Sequence, residues 1–187
     1  MRRVLLASES PRRRELMNMT GIPFFVASAK IEENIDKSLP IGDAVAQLAK
    51  QKALAVFNNY PNEIIVAADT VVVINNEALG KPKDEQDARR MLEMLSGNTH
   101  QVITGVAILS NAMEDIFYEV TDVTFGELSK DTIDWYISTR EYYDKAGGYA
   151  IQGKGIILVE KIHGDYANVV GLPMYRLMNK LRKYIEM

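Results

Sequence analysis

The chain has 187 residues, is 47% hydrophobic and 25% charged, and carries a formal net charge of −3. That length suits one sizeable domain or two closely joined lobes, and the balance gives enough apolar mass for a real core. The slight acidity gives the surface no general pull on nucleic acid, so any anion site must be a local cluster of basic groups. The lack of cysteine excludes a disulfide framework, a thiolate nucleophile and a cysteine zinc site.

The elements follow in chain order. Residues 1–3 open like a signal peptide, but the apolar run that follows is too short for one, and Glu9 and three arginines come next. No stretch is long enough to span a bilayer, so we expect a soluble, cytoplasmic protein with no membrane partner. Residues 3–7 read as a short buried strand. Ser10-Pro11 then opens a helix, Ser as N-cap and Pro at the first helical position, which Gly21 closes. Residues 24–27 are a second strand, 30–38 a polar loop and 41–58 a helix. Residues 63–74 form an apolar, β-branched strand broken only by Asp69-Thr70, with a turn at Asn75-Asn76. A helix spans 84–96, with Ala88, Met91, Leu92 and Leu95 on one face and Gly97 as its stop. Residues 101–110 and 116–125 read as a hairpin around Asn111. Ser129 caps a helix running to about Arg140, a glycine-rich loop covers 144–155, residues 156–162 form a strand, and a last helix carries Met174, Leu177, Met178, Leu181 and Ile185. The fold expected is α/β, a mixed twisted sheet flanked by helices. No linker divides the chain, so one domain is expected over residues 1–187.

Three local conflicts point to chemistry. A helix N-terminus carries partial positive charge and unpaired N–H groups, yet this one bears Arg12, Arg13 and Arg14 in its first turn. Phosphate oxygens would resolve the conflict by meeting the N–H groups, the hydroxyl of Ser8 or Ser10 and the guanidinium groups together; the alternative is three solvated arginines. Asp69 interrupts an apolar strand, where an uncompensated carboxylate costs several kcal/mol. It is either a metal ligand or general base, or a strand-end cap. Lys52 falls on the apolar stripe of Ile41, Val45, Leu48, Ala55 and Val56. Its stem either snorkels to water or delivers an ammonium to a phosphate, and Lys81 is open to the same two readings. Glu32 and Glu33, in the 30–38 loop, either join Asp69 around a hard cation such as Mg²⁺ or are simply solvated. There is no GxxxxGK[ST] loop and no GxGxxG. His100 and His163 lack zinc-ligand spacing and read as structural and turn residues.

Taken together, the segments Leu6-Ala7-Ser8-Glu9-Ser10-Pro11-Arg12-Arg13, Ala68-Asp69-Thr70, Gly80-Lys81-Pro82 and Leu95-Ser96-Gly97 with His100 resemble the Maf family. So do Asp144-Lys145-Ala146-Gly147-Gly148-Tyr149-Ala150-Ile151-Gln152-Gly153 and Val170-Gly171-Leu172-Pro173. The blocks span nearly the whole chain in the family's order. Glu141-Tyr142 departs from the family's frequent Glu-Pro, which bears on how the chain enters the glycine-rich loop. The resemblance implies a nucleoside triphosphate pyrophosphatase that needs a divalent cation, Mg²⁺ or Mn²⁺. It implies two lobes around a central cleft, and a homodimer. It makes Asp69 the proton acceptor and Glu33 a polar residue of the cleft; on mechanistic grounds we expect Asp69 and Glu33 to bind the cation. Ser8, Arg13, Lys52, Lys81 and Lys145 become polar cleft residues, and Arg12, Thr70 and Gln152 residues of base selection, in the form resembling the dTTP/UTP subgroup. Gln152 both donates and accepts, so it can read the O4 and N3–H edge of uracil or thymine. Two competing readings are a nucleotidyltransferase, against which the missing glycine-rich loop before the basic pair counts, and a non-enzymatic nucleotide-binding regulator of septum formation.

Overall fold

A computed structural model describes residues 3–31, 35–36 and 38–185. Its sheet has seven strands in the order β2-β1-β3-β5-β6-β7, with β4 paired to β3. The chain divides into two compact units, one of Met1–Asp69, Thr104–Glu119 and Gly171–Met187, the other of Thr70–Ile103 and Val120–Val170. Among the described residues no helix is long and apolar enough to cross a membrane.

In the first unit β1 (Val4–Leu6), α1 (Pro11–Asn18), β2 (Phe24–Val26), α2 (Ile41–Phe57) and the start of β3 (Ile64–Ile74) follow as two βα repeats. β1 lies parallel to both β2 and β3, with Leu6 opposite Val26 and Val66. Val4, Leu5, Leu6 and residues 64–68 are buried on both faces, which explains why these strands read as continuous apolar runs rather than alternating ones. The face carrying Leu5, Ile65 and Ala67 packs on Ala49, Ala53 and Val56 of α2. β5 (Thr99–Leu109) adds its second half to this unit and β6 (Glu114–Phe125) its first half. At Gly105 of β5 a Cβ would lie 2.5 Å from the Val45 carbonyl oxygen and the Ala46 nitrogen, so the backbone of α2 rests directly on the strand and only glycine fits. α6 (Met174–Leu181) closes the unit. Its Lys180 Nζ donates to Asp115 at 2.6 Å, and the Tyr184 hydroxyl beyond it donates to the same carboxylate at 3.1 Å.

The second unit holds the rest of β3, then β4 (Glu77–Leu79) and α3 (Glu85–Leu95). β4 is a short hairpin partner not foreseen from sequence. Asn75 and Asn76 have φ of 51° and 62°, the left-handed pair that a two-residue hairpin turn needs, and Ile74 pairs with Glu77. Asp84 caps α3 by accepting from the Asp87 N–H at 2.8 Å. α4 (Lys130–Ser138) begins after the Ser129 cap as expected. The strand expected at residues 156–162 begins later: Lys154–Leu158 is a 3₁₀ turn and β7 is Val159–His163. Gly153 and Gly155 hold the chain in a tight turn through residue 158, overriding the β-branched pattern. α5 (Tyr166–Val170) is a further short helix. The core gathers Val72, Leu79, Leu92, Leu95, Phe125 and Tyr136.

His100 is structural, as its spacing suggested. It is 1% exposed, its Nε2 shares a 2.8 Å hydrogen bond with the Tyr149 hydroxyl, and its ring meets Phe125 and Tyr149 edge-on. Burial lowers its pKa from 6.5 to about 4, against the opposing pull of Asp122. Protonation would also place a donor at Nδ1, which has no hydrogen-bond partner among the described residues.

Two predictions follow from these packing facts. Gly105→Ala forces backbone against backbone and should destabilise the protein by about 3 kcal/mol, lowering Tm by roughly 10 °C; an unchanged melting curve would contradict the contact. For His100 the unfolded chain takes up its proton near pH 6.5 and the folded chain only near 4. Its contribution, on the order of 3 kcal/mol, is therefore complete above pH 6.5 and is lost as pH falls from 6.5 to 4. Denaturant unfolding at stepped pH should show this slope in the parent and a shallower one in His100→Phe.

Candidate active site

After β1 the chain turns to β2 on one side, and after β3 it continues to β4 and β5 on the other. The carboxyl end of β1, opposite Val66 in the first half of β3, therefore borders a topological switch point, the kind of place where open α/β sheets take ligands. The Ala7 N–H donates to the Val66 carbonyl at 2.7 Å, carrying the ladder past β1. Ser8 thus leaves β1 two residues beyond Leu6, whose partner is Val66, while Asp69 lies three residues beyond Val66 in the middle of β3.

Ser8 is buried and starts the connection to α1. Its Oγ accepts from the Ser10 N–H and from Arg13 Nη1, both at 3.3 Å. Ser10 is the N-cap, accepting from the Arg13 N–H at 3.5 Å. The arginine conflict is partly resolved inside the protein: Arg13 Nε donates to the Gly171 carbonyl at 2.7 Å. That bond ties the start of α1 to the Val170-Gly171-Leu172-Pro173 segment and explains one of the three arginines without an outside anion. Arg12 is half-buried and Arg14 exposed. α1 has no acidic residue in its first turn.

Lys52 has a partner that neither sequence reading, phosphate partner or snorkelling surface lysine, included. Lys52 Nζ donates to Asp69 Oδ1 at 2.5 Å, with the side chains 18% and 15% exposed. Two periodicities bring them together. Alternation along β3 places Asp69 on the face of Ile65 and Ala67, and that face packs on Ala49, Ala53 and Val56 of α2. Lys52 lies among those residues on the helix. The two side chains compensate each other's cost in an apolar layer. Each was suspicious alone in the sequence, and pairing them was the signal available.

In the second unit Thr70 is half-buried and follows Asp69 on β3, directed to the other face by the same alternation. Lys81 is ion-paired with Asp144 at 2.5 Å, both side chains largely exposed. Lys145 Nζ donates to the Tyr143 carbonyl at 3.2 Å, and the Gly147 N–H donates to the Gly80 carbonyl at 3.0 Å, so the Gly80-Lys81-Pro82 turn and the glycine-rich loop are held together. Gly147, at φ 68°, packs against Val72, where a Cβ would be 2.8 Å from that side chain. Gln152 is exposed at the tip of a turn closed by the Gly153 N–H on the Ala150 carbonyl at 3.3 Å. Glu141, noted in the sequence only for its missing proline neighbour, accepts from the Lys154 and Gly155 N–H groups just beyond that tip.

Glu33 lies outside the described residues. Among the described residues no three His, Asp or Glu side chains gather to hold a metal ion. The donor set nevertheless suits Mg²⁺ or Mn²⁺ bound together with a nucleotide, since such ions use one or two carboxylates and take their remaining ligands from water and substrate phosphates. Asp69, midway along β3, is one such carboxylate.

The sequence pattern of the family described as Maf-like protein matches residues 3–184. Among curated relatives, a dTTP/UTP pyrophosphatase of Bacillus cereus is 47% identical over 184 residues, covering 98% of this chain and 96% of that protein. Proteins of the same name from Bacillus mycoides and Bacillus cytotoxicus are 47% and 48% identical over the same shares. A match from the first described residue almost to the last, joined to near-half identity along that length, makes this chain a member of the Maf family.

Proposed function

We propose that this chain hydrolyses nucleoside triphosphates, dTTP and UTP first among them, to the monophosphate and pyrophosphate. The observation that carries the reading is the Lys52–Asp69 pair, set midway along β3 in the same unit as Ser8 and the arginine-bearing start of α1. The names of the Bacillus relatives supply the substrate class.

In this reading Arg12, Arg13, Ser8 and the N–H groups at the start of α1 hold phosphate oxygens. Lys52 fixes one oxygen of Asp69, and the carboxylate accepts a proton from the attacking water. The oxygen of that water bonds to the α-phosphorus, the bond to the bridging oxygen breaks, and pyrophosphate leaves with its charge met by Lys81 and Lys145. Asp69 and Glu33 would hold a divalent cation, which would neutralise phosphate charge and lower the pKa of water. Thr70 and Gln152 act in base selection, Gln152 reading the O4 and N3–H edge of the pyrimidine. The family resemblance supports a cytoplasmic homodimer as the working form.

Two measurements test the proposal. Asp69→Asn should lower kcat by roughly 10²–10⁴ while Tm stays within a few degrees of the parent, since the amide can still accept from Lys52; near-normal turnover would remove Asp69 from the reaction. Pyrophosphate release from a panel of nucleoside triphosphates with Mg²⁺ or Mn²⁺ should favour dTTP and UTP and stop when chelator is added. Preference for 7-methyl-GTP would keep the reaction and overturn the base assignment. No release from any substrate by folded protein would point instead to a nucleotide-binding regulator.

A further inference from the structure

Gln152 sits on a loop whose shape is set by groups outside the proposed reaction. Glu141 follows Arg140, which turns the chain at φ 57°, and its half-buried carboxylate points back at the loop. Oε2 accepts from the Lys154 N–H at 3.0 Å, and Oε1 accepts from the Gly155 N–H at 3.1 Å and from the Tyr136 hydroxyl at 3.4 Å. The Tyr136 hydroxyl in turn accepts from the Ala150 N–H at 3.3 Å, and Tyr136 is fully buried. One carboxylate and one phenol therefore hold backbone amides on both sides of Gln152.

The approach is close. A Cβ on Gly153 would lie 2.4 Å from Glu141 Oε1, and one on Gly155 would lie 2.6 Å from the Ala150 carbonyl oxygen. Glycine at both positions lets the loop fold onto itself and onto the carboxylate together. Bonds from N–H groups to an ionised acceptor are stronger than those to a neutral one, so the charge on Glu141 matters as well as its shape.

We infer that Glu141 is a positioning residue for base recognition: through the Lys154, Gly155 and Tyr136–Ala150 bonds it sets the backbone from which Gln152 presents its amide to the pyrimidine. This rests on the reading of Gln152 as the base-contacting residue. Side-chain hydrogen bonds weaken steeply as their angles open, so a loop free to shift would hold the amide near the base without reading it.

The test compares the parent, Glu141→Gln, Gln152→Ala and the double variant on UTP and on ribose 5-triphosphate, which offers the same phosphates without a base. Glu141→Gln keeps the side-chain shape but replaces one accepting oxygen with a carboxamide NH₂, a donor facing a backbone N–H. It should speed hydrogen exchange at Lys154 and Gly155. It should lower kcat/KM for UTP by about tenfold or more, with a much smaller change on ribose 5-triphosphate. In the Gln152→Ala background the same substitution should cost nothing further on UTP. Equal losses on the two substrates, an undiminished effect in the double variant, or unaltered exchange would overturn the proposal. If Gln152→Ala treats UTP as the parent does, the base-contact reading itself has failed and the inference falls with it, whatever the exchange data show. Should Glu141→Gln not fold, Tyr136→Phe removes one arm of the clamp and should give a smaller loss confined to UTP; no such loss would be equally fatal.

Discussion

The pairing of Lys52 with Asp69 is the constraint on which the candidate site turns. Five buried residues, 64–68, lead into Asp69, and a carboxylate there needs a cation at contact distance. α2 can supply one because alanines and the Gly105 crossing let its backbone come down onto the sheet. The close helix–strand packing and the ion pair are therefore one arrangement. A bulkier residue at 105 would lift α2 and draw the ammonium away from its partner.

Much of the fold was legible because the chain's local signals agree with its packing. Ser10-Pro11, Asp84 and Ser129 start helices where cap chemistry says they should, and the run at 64–74 is the continuous strand its apolar residues suggest. What was not legible depends on partners distant in sequence. β4 is three residues long and its exposed Glu77 and Ala78 carry no pattern; Asn75-Asn76 announced the turn but not the strand beyond it. Ile156 and Ile157 read as strand residues, yet they are exposed on a 3₁₀ turn, because Gly153 and Gly155 fold the preceding backbone against Glu141 and Ala150. Tertiary contact won over β-propensity there.

The candidate site shows the same division. Asp69 and Lys52 stood out as misfits in apolar patterns, and the structure joins them. The three arginines also stood out, and the structure adds partners the sequence did not show: Arg13 donates to Gly171 and Ser8. A helix start crowded with cations signals unmet charge, and part of that charge is met by a carbonyl 158 residues away in the chain. No spacing rule reveals such a partner. Glu141 was hidden for the opposite reason, since a glutamate after a helix looks solvated until the amides it accepts are known.

The ion pairs differ in a way that sorts their roles. Lys52 and Asp69 are mostly buried, at 18% and 15% exposure, whereas Lys81 and Asp144 are 63% and 65% exposed. Exposed pairs are worth little, because water and salt meet either charge nearly as well as the partner does. Lys81 can thus exchange Asp144 for an arriving phosphate at small cost. Lys52 cannot leave Asp69 so cheaply, since separation would strand a carboxylate in an apolar layer. With an overall charge of −3, the chain gains its attraction for anions locally, and the proposed reaction needs both kinds of lysine: one fixed, to orient the proton acceptor, and one exchangeable, to meet charge on the phosphates as pyrophosphate leaves.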